Sequence, residues 1–302
     1  MTSLGKTNFS IQPEVEQAFK YRKPVVALES TVITHGLPYP ENLKLASDLE
    51  MEIREQGCTP ATIAIIYGKI CIGLDSTQLD QLVHTEDVRK ISARDIAHAV
   101  VSNKSGGTTV AGTLAIAQKV GIKVFATGGI GGVHRGAPFD ISADLGQLAR
   151  TQLVVVCAGA KAILDIPATM EVLETYGVPV IGYQTDEFPA FYSISSGLPI
   201  STRIDLPEGV ALLAKTHWDM GMSSSILVAV PPPADVALDS SFVNSAIQTA
   251  LEEAQKKNVH GQSITPFLLR RVSELTEGSS LTANLGLLRN NANVAAKIAH
   301  FI

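Results

Sequence analysis

The chain has 302 residues, 45% of them hydrophobic and 18% charged, with a formal net charge of −5. That length holds one large α/β domain or two smaller ones, and so apolar a composition excludes a disordered chain. The acidic balance, with no stretch that interleaves Arg or Lys with aromatic side chains, leaves no footprint for nucleic acid and points to a small-molecule substrate.

Taken in chain order, apolar runs predict strands over 25–29, 61–66, 124–127, 153–158, 178–182 and 226–230. Between and after them, helices are predicted over 42–56, 108–119, 167–176, 241–257, 266–275 and 283–299. Three of the helix-like segments stop at a glycine, Gly57, Gly121 and Gly177, and an apolar run follows at once. Glycine just past a helix end accepts the left-handed conformation that stops it. The repeated order of helix, glycine and strand argues for βαβ crossovers and a mainly parallel sheet, in which ligands bind at the C-terminal ends of the strands. The linker-like Pro231-Pro232-Pro233-Ala234 precedes a helical C-terminal third. The expected architecture is an α/β/α layered fold with an added C-terminal helical layer, all of residues 1–302 forming one domain.

Cys58, Cys71 and Cys157 lack CxxC spacing, which suggests neither a disulfide framework nor a thiolate metal site. The opening Met1-Thr2-Ser3-Leu4-Gly5-Lys6 has no apolar signal core and no run reaches the length of a membrane span, so the expected location is the cytoplasm.

Residues suited to chemistry follow the predicted strands. Glu29 ends the first one; a carboxylate there either has a raised pKa and moves protons, or accepts bonds from loop amides. His35, a few residues on, is equally open between a structural and a chemical role. Lys90 is either a countercharge for a phosphate or carbonyl, or part of a solvated turn with Asp95, and the segment 105–111 opens a helix whose N-terminus attracts anions. The stretch Thr127-Gly128-Gly129-Ile130-Gly131-Gly132-Val133-His134-Arg135-Gly136 is either a phosphate cradle, with His134 and Arg135 adding charge, or a tight turn. It fits neither GxGxxG nor GxxxxGK[ST], which disfavours dinucleotide and nucleoside triphosphate sites.

Downstream, Asp140 and Asp144 stand four residues apart, on one face if the segment is helical, and suit a hard cation such as Mg²⁺ or Mn²⁺. The alternative is that an aspartate or Ser142 caps the next helix. Lys161 closes the fourth strand among alanines, where lost solvation would leave a nucleophilic amine, unless it is simply solvated. Cys157 is the rival nucleophile, but its place in the strand reads as a buried small hydrophobe. Asn284, Asn290, Asn291 and Asn293 fall in the last helical pattern, where an exposed face accounts for most of them.

Together these segments resemble the pseudouridine-5'-phosphate glycosidase family, also called the indigoidine synthase A-like family. The match runs through Ala27-Leu28-Glu29-Ser30-Thr31, Pro60-Ala61-Thr62-Ile63-Ala64, Lys90-Ile91-Ser92, Thr108-Thr109-Val110, 125–136, 139–145, 155–161, Gly182-Tyr183-Gln184-Thr185 and Thr265-Pro266-Phe267-Leu268-Leu269. The resemblance implies Lys161 as nucleophile, Glu29 as proton donor, Asn284 as an active-site asparagine and Asp140 in a Mn²⁺ site. It implies substrate contacts from Lys90, Val110, Ser142, Ala143 and Asp144, to which the glycine segment adds Thr127 and His134. A homotrimer is implied in the same way.

The implied reaction, cleavage of the C–C bond between uracil and ribose 5-phosphate, lacks the oxygen or nitrogen leaving group of an ordinary glycosidase. A lysine Schiff base supplies another electron sink. The competing readings are a lysine-dependent aldolase or lyase acting on another sugar phosphate, and a phosphosugar-binding sensor without turnover.

Overall fold

The computed structural model describes residues 8–37, 39–259 and 264–302, so the N-terminal stretch read for a targeting signal lies outside the described residues. The chain begins with β1 (Phe9–Ile11), α1 (Pro13–Lys20), β2 (Val25–Leu28), a π-helical turn at Val32–Gly36, α2 (Glu41–Glu55), β3 (Thr59–Ile66) and β4 (Lys69–Ile72). It continues with α3 (Ser76–His84), β5 (Arg89–Ile91), α4 (Ile96–Val101), β6 (Gly106–Thr108), α5 (Val110–Val120), β7 (Val124–Ala126), β8 (Val133–His134), β9 (Ala137–Ile141) and α6 (Ala143–Leu148). The remainder is β10 (Val154–Cys157), β11 (Leu164–Asp165), α7 (Ile166–Thr175), β12 (Val180–Tyr183), β13 (Arg203–Ile204), α8 (Pro207–Asp219), β14 (Ile226–Ala229), α9 (Ser240–Lys256), α10 (Ile264–Leu275) and α11 (Ser279–Ala299).

The main sheet runs in the order β1-β4-β3-β2-β7-β10-β14-β12-β13, with β5 and β6 attached at β3. From β3 through β13 every neighbouring pair is parallel, whereas β4 and β6 run antiparallel to β3. All six predicted strands and all six predicted helices are present. Gly57, Gly121 and Gly177 have φ of +76°, +88° and +63°, the left-handed conformation expected of glycines that end helices.

Strand β10, Val154-Val155-Val156-Cys157, is fully buried between β7 and β14. Its unbroken apolar run follows from helices covering both faces of the sheet. Each such side chain contributes about 1.5–3 kcal/mol by leaving water. Helix α11 lies over β2, β7 and β10 and packs between α2 and α8, so the C-terminal layer joins the main sheet as expected, while α5 packs with α6 and against β2 and β3. Cys58 Sγ meets Ala296 O at 3.3 Å near the start of β3, and Asn291 Nδ2 meets Thr127 O at 2.9 Å just after β7. Helix α11 therefore runs opposite to the strands, and its N-terminal turns overhang their C-terminal ends.

Two elements differ from expectation. Residues Gly106–Thr108 form strand β6, which pairs with β3 and β5, and α5 starts only at Val110. Asp140 and Asp144 do not share a helical face: Asp140 is on β9 of a small antiparallel sheet with β8 and β11, and Asp144 is in the first turn of α6. Between them Ser142 takes extended geometry and caps α6, its Oγ accepting from Asp144 N at 3.2 Å. Among the described residues no helix is long and apolar enough to cross a membrane.

Candidate active site

Three adjacent parallel strands, β2, β7 and β10, end at one edge of the sheet and deliver Glu29, Thr127 and the Ala158–Lys161 segment together. Thr127 Oγ1 donates to Glu29 Oε1 at 2.5 Å. Lys161 Nζ donates to Gly129 O at 3.0 Å, two residues beyond Thr127. Glu29 and the Lys161 amine are thus fixed to one turn of chain, residues 127–129, from two sides.

Glu29 is half-exposed by surface area, because the strand ends open over it, yet its carboxyl is packed about by protein. Burial raises its pKa; the positive charge of Lys161, the bond from Thr127 and the charge of Lys90 work against that rise, and Asp144 adds to it. Burial also lowers the pKa of Lys90, with the Lys161 charge acting in the same direction and Asp144 and Glu29 opposing. Lys90 reaches this group from β5, where it pairs with Gly107 of β6. Ser30, next to Glu29, ties the same corner together: its Oγ donates to Ile63 O at 2.6 Å and accepts from Thr108 N at 2.9 Å.

Asp144 is buried, and its two oxygens accept from Ala111 N at 2.9 Å and Gly131 N at 2.8 Å. It pins the N-terminus of α5, where Val110 is the first helical residue, to the glycine segment. The glycines are there for close approach: a Cβ at Gly131 would lie 2.2 Å from Ser142 Oγ, and one at Gly129 would lie 2.6 Å from the Phe191 ring. In this turn the N–H groups of Ile130, Gly131 and Val133 already donate to Gly159 O, Asp144 Oδ2 and Thr169 Oγ1. The tight-turn reading describes these three amides better than the phosphate cradle does.

Of the remaining expected residues, Ala143 is exposed beside Ser142, and His134 is half-buried on β8, opposite Leu164 of β11. Arg135, read as a further countercharge, instead donates from its guanidinium to Leu164 O and Ala162 O, both at 3.0 Å. Asn284 is half-buried on α11, on the face that carries Asn291 two turns later. Seven residues of helix place it about 10 Å beyond the strand ends. Cys157 is fully buried and its thiol is pushed up to about 12 by burial, which removes it as a nucleophile. A cavity of ≈730 Å³ lined by Arg135, Ala162, Asp165, Ser193, Ser196 and Asn244 shares only the segment after Lys161 with this cluster.

Two residues were undervalued in the sequence. His35, in the π-helical turn after Glu29, is half-buried, and its pKa is lowered by burial and then by the charge of Lys90, with a backbone bond at Val88 opposing; its Nδ1 meets Thr34 Oγ1 at 2.7 Å. Asn291, one of four asparagines for most of which an exposed face was expected, is fully buried; Leu287, Leu288 and Ala295 beside it at helical spacing were the signal that it faces inward.

The sequence model of the family "Indigoidine synthase A like protein" matches residues 14–301. The chain belongs to the indigoidine synthase A-like family. Members of this family named pseudouridine-5'-phosphate glycosidase include one from Herpetosiphon aurantiacus, 52% identical over 295 residues that cover 97% of each chain. Another, from Geobacillus kaustophilus, is 53% identical over 288 residues, covering 95% of this chain and 96% of its own. Among solved structures, the prealnumycin C-glycosynthase AlnA in complex with ribulose 5-phosphate superposes with a TM-score of 0.90 at 38% identity, covering 97% of this chain and 96% of its own. An indigoidine synthase A-like protein from Thermotoga maritima gives 0.89 at 35% identity, with 96% and 95% covered. These solved structures share this α/β fold over nearly the whole chain.

The divalent metal that the resemblance implies has one carboxylate at Asp140, exposed on β9, and no group of three or more His, Cys, Asp or Glu side chains surrounds it among the described residues. An all-oxygen donor set of this size fits a hard cation that keeps most of its water.

Proposed function

We propose that this enzyme reversibly cleaves the C–C glycosidic bond of pseudouridine 5'-phosphate, giving uracil and ribose 5-phosphate, in pseudouridine catabolism. The observation that carries the reading is the placement of Lys161 and Glu29 on either side of the turn after β7, joined through Gly129 O and Thr127 Oγ1. The names of relatives about half identical over nearly the whole chain supply the substrate, and a sugar phosphate bound to AlnA agrees with it.

In this reading Thr127 occupies Oε1 of Glu29 and leaves Oε2 to carry the proton. Burial raises the Glu29 pKa, the direction a proton donor requires. Glu29 protonates the ring oxygen of the ribose as its bond to C1' breaks, and the Lys161 amine, positioned by Gly129 O, bonds to C1' in its deprotonated form and passes a proton to the Glu29 carboxylate. Protonation of uracil C5 then breaks the C1'–C5 bond, with the nitrogen lone pair forming an iminium between Lys161 and C1'. Water adds to this iminium, and collapse frees the amine and the aldehyde of ribose 5-phosphate. Lys90 and the N-terminus of α5 at Val110 face the substrate phosphate or carbonyl groups, with Ser142, Ala143, His134 and Asn284 bounding the site. Asp140 would hold Mn²⁺, or another hard cation, which supplies Lewis-acid polarisation and orients water. The functional unit is a homotrimer in the cytoplasm; Phe139, 98% exposed beside Asp140, suits a position covered by a second copy.

The test is chromatographic detection of uracil after incubation with pseudouridine 5'-phosphate and Mn²⁺, alongside pseudouridine and uridine 5'-phosphate. Uracil is expected from the first alone. No release from any of the three by folded, metal-loaded protein would overturn the reading in favour of another sugar-phosphate lyase or a sensor.

A further inference from the structure

Asn291 lies in the last tenth of the chain, two turns of α11 beyond Asn284, and is fully buried against the central turn of the cluster described above. Its Nδ2 donates to Thr127 O at 2.9 Å and, at 3.4 Å, to Gly128 O, which also accepts from Ala158 N at 2.8 Å. Those two carbonyls belong to the residues between the Thr127 hydroxyl, which holds Glu29, and Gly129 O, which holds Lys161. Two carbonyls facing one amide fix which end is the nitrogen, since the reverse orientation would set oxygen against oxygen.

The other end of the amide, Oδ1, is buried without a protein partner among the described residues. A buried acceptor left unpaired lowers stability, and a leucine of similar shape would remove that defect. The surrounding helix is already apolar, with Leu287, Leu288, Ala292 and Ala295 buried. An asparagine here is therefore poorly explained by packing and well explained by the two carbonyls it grips.

We propose that Asn291 is a positioning residue for this reaction: its carboxamide clamps the Thr127–Gly128 backbone so that Thr127 and Gly129 hold Glu29 and Lys161 in register. The inference rests on the proposed roles of those two residues. Without the clamp the turn drifts, the amine and the carboxyl lose their mutual aim, and the Thr127 bond to the ionised carboxylate weakens. Thr127 is one of the groups that lower the Glu29 pKa, while Lys161 and Lys90 also lower it and Asp144 raises it. Losing the Thr127 bond thus keeps Glu29 protonated to higher pH.

The experiment compares wild type, Asn291→Leu, Asn291→Ala, Thr127→Val and the double variant Thr127→Val/Asn291→Leu for uracil release across pH, with thermal melting of each. Asn291→Leu relieves the unpaired Oδ1 but leaves Thr127 O without its donor, so it is expected to melt within a few degrees of wild type, while kcat falls about 10- to 100-fold, the scale of a misaimed catalytic group, with KM little changed. Its alkaline limb is expected to move to higher pH. In the Thr127→Val background the same change should cost clearly less, because both act on one bond. A normal kcat and pH profile in a folded Asn291→Leu protein, or full additivity in the double variant, would overturn the proposal; if Asn291→Leu fails to fold, Asn291→Ala is read by the same criteria. The Glu29 titration, followed by ¹³C NMR of labelled glutamate and assigned with Glu29→Gln, needs no substrate. An upward shift there in the Asn291 variant supports the clamp even if wild type releases no uracil, an outcome that would sink the substrate reading alone; an unmoved Glu29 counts against the clamp in either case.

Discussion

Replacing Asp144 by asparagine tests the electrostatic arrangement most directly. The side chain keeps its shape, but one oxygen that accepts from Ala111 N or Gly131 N becomes an NH₂ that faces another donor. Losing one acceptor in a buried site costs about 1–3 kcal/mol, and in a chain of this size each kcal/mol lowers Tm by about 2–4 °C or slightly less. The charge effect is separate and has a definite sign. Asp144 raises the pKa of both Glu29 and Lys90, so its neutralisation lets both lose their protons at lower pH. If Glu29 must be protonated to act and Lys90 charged to hold an anion, the alkaline limb of kcat/KM moves to lower pH, opposite to the shift expected for Asn291→Leu. Uracil release measured as a function of pH, paired with thermal melts, reads both effects. An Asp144→Asn protein with an unchanged Tm and an unmoved alkaline limb would refute the assignment of Asp144 as both tether and charge.

Lys161→Ala is expected to abolish turnover in a folded protein, and Lys161→Arg should not restore it, since a guanidinium does not form the iminium; near-normal rates in either, measured as uracil release, would end the Schiff-base reading. Thorough chelation should lower activity and Mn²⁺ should restore it, whereas rates indifferent to metal removal would make Asp140 a structural residue only. Gly131→Ala places a methyl 2.2 Å from Ser142 Oγ and 2.8 Å from Asp144 Oδ2; overpacking of that kind costs about 1–3 kcal/mol, so both Tm and activity should fall, while Gly146→Ala, whose Cβ meets nothing within 4 Å, should leave Tm close to wild type.

The parallel core was legible because its strands are unbroken apolar runs entered from helices that end at glycine, as at Gly121 before β7. Short strands such as β5 and β6 were not, since three residues carry no periodicity and Gly106-Gly107 reads as a turn until β3 is there to pair with it. Glu29 and Lys161 were singled out by their places after apolar strands, and the structure brings the two to one turn of chain. The pairing of Asp140 with Asp144 failed because spacing of four implies a shared face only within a helix, and the Ser142 cap divides strand from helix. The inward face of Asn291 was marked by its apolar neighbours, but what it binds was not legible: Thr127 and Gly128 are 164 and 163 residues away along the chain, and side-chain bonds to distant carbonyls leave no local trace.

Helix α11 closes over β2, β7 and β10 at the very end of the chain, which gives the order of synthesis a consequence. The ribosome releases Glu29 and Lys161 long before it makes residues 279–299, so the nascent chain carries both without the helix that packs on the turn joining them. A message cut short before Ser279 would yield not a weakened enzyme but a sheet with one apolar face bare, a substrate for chaperones and proteases.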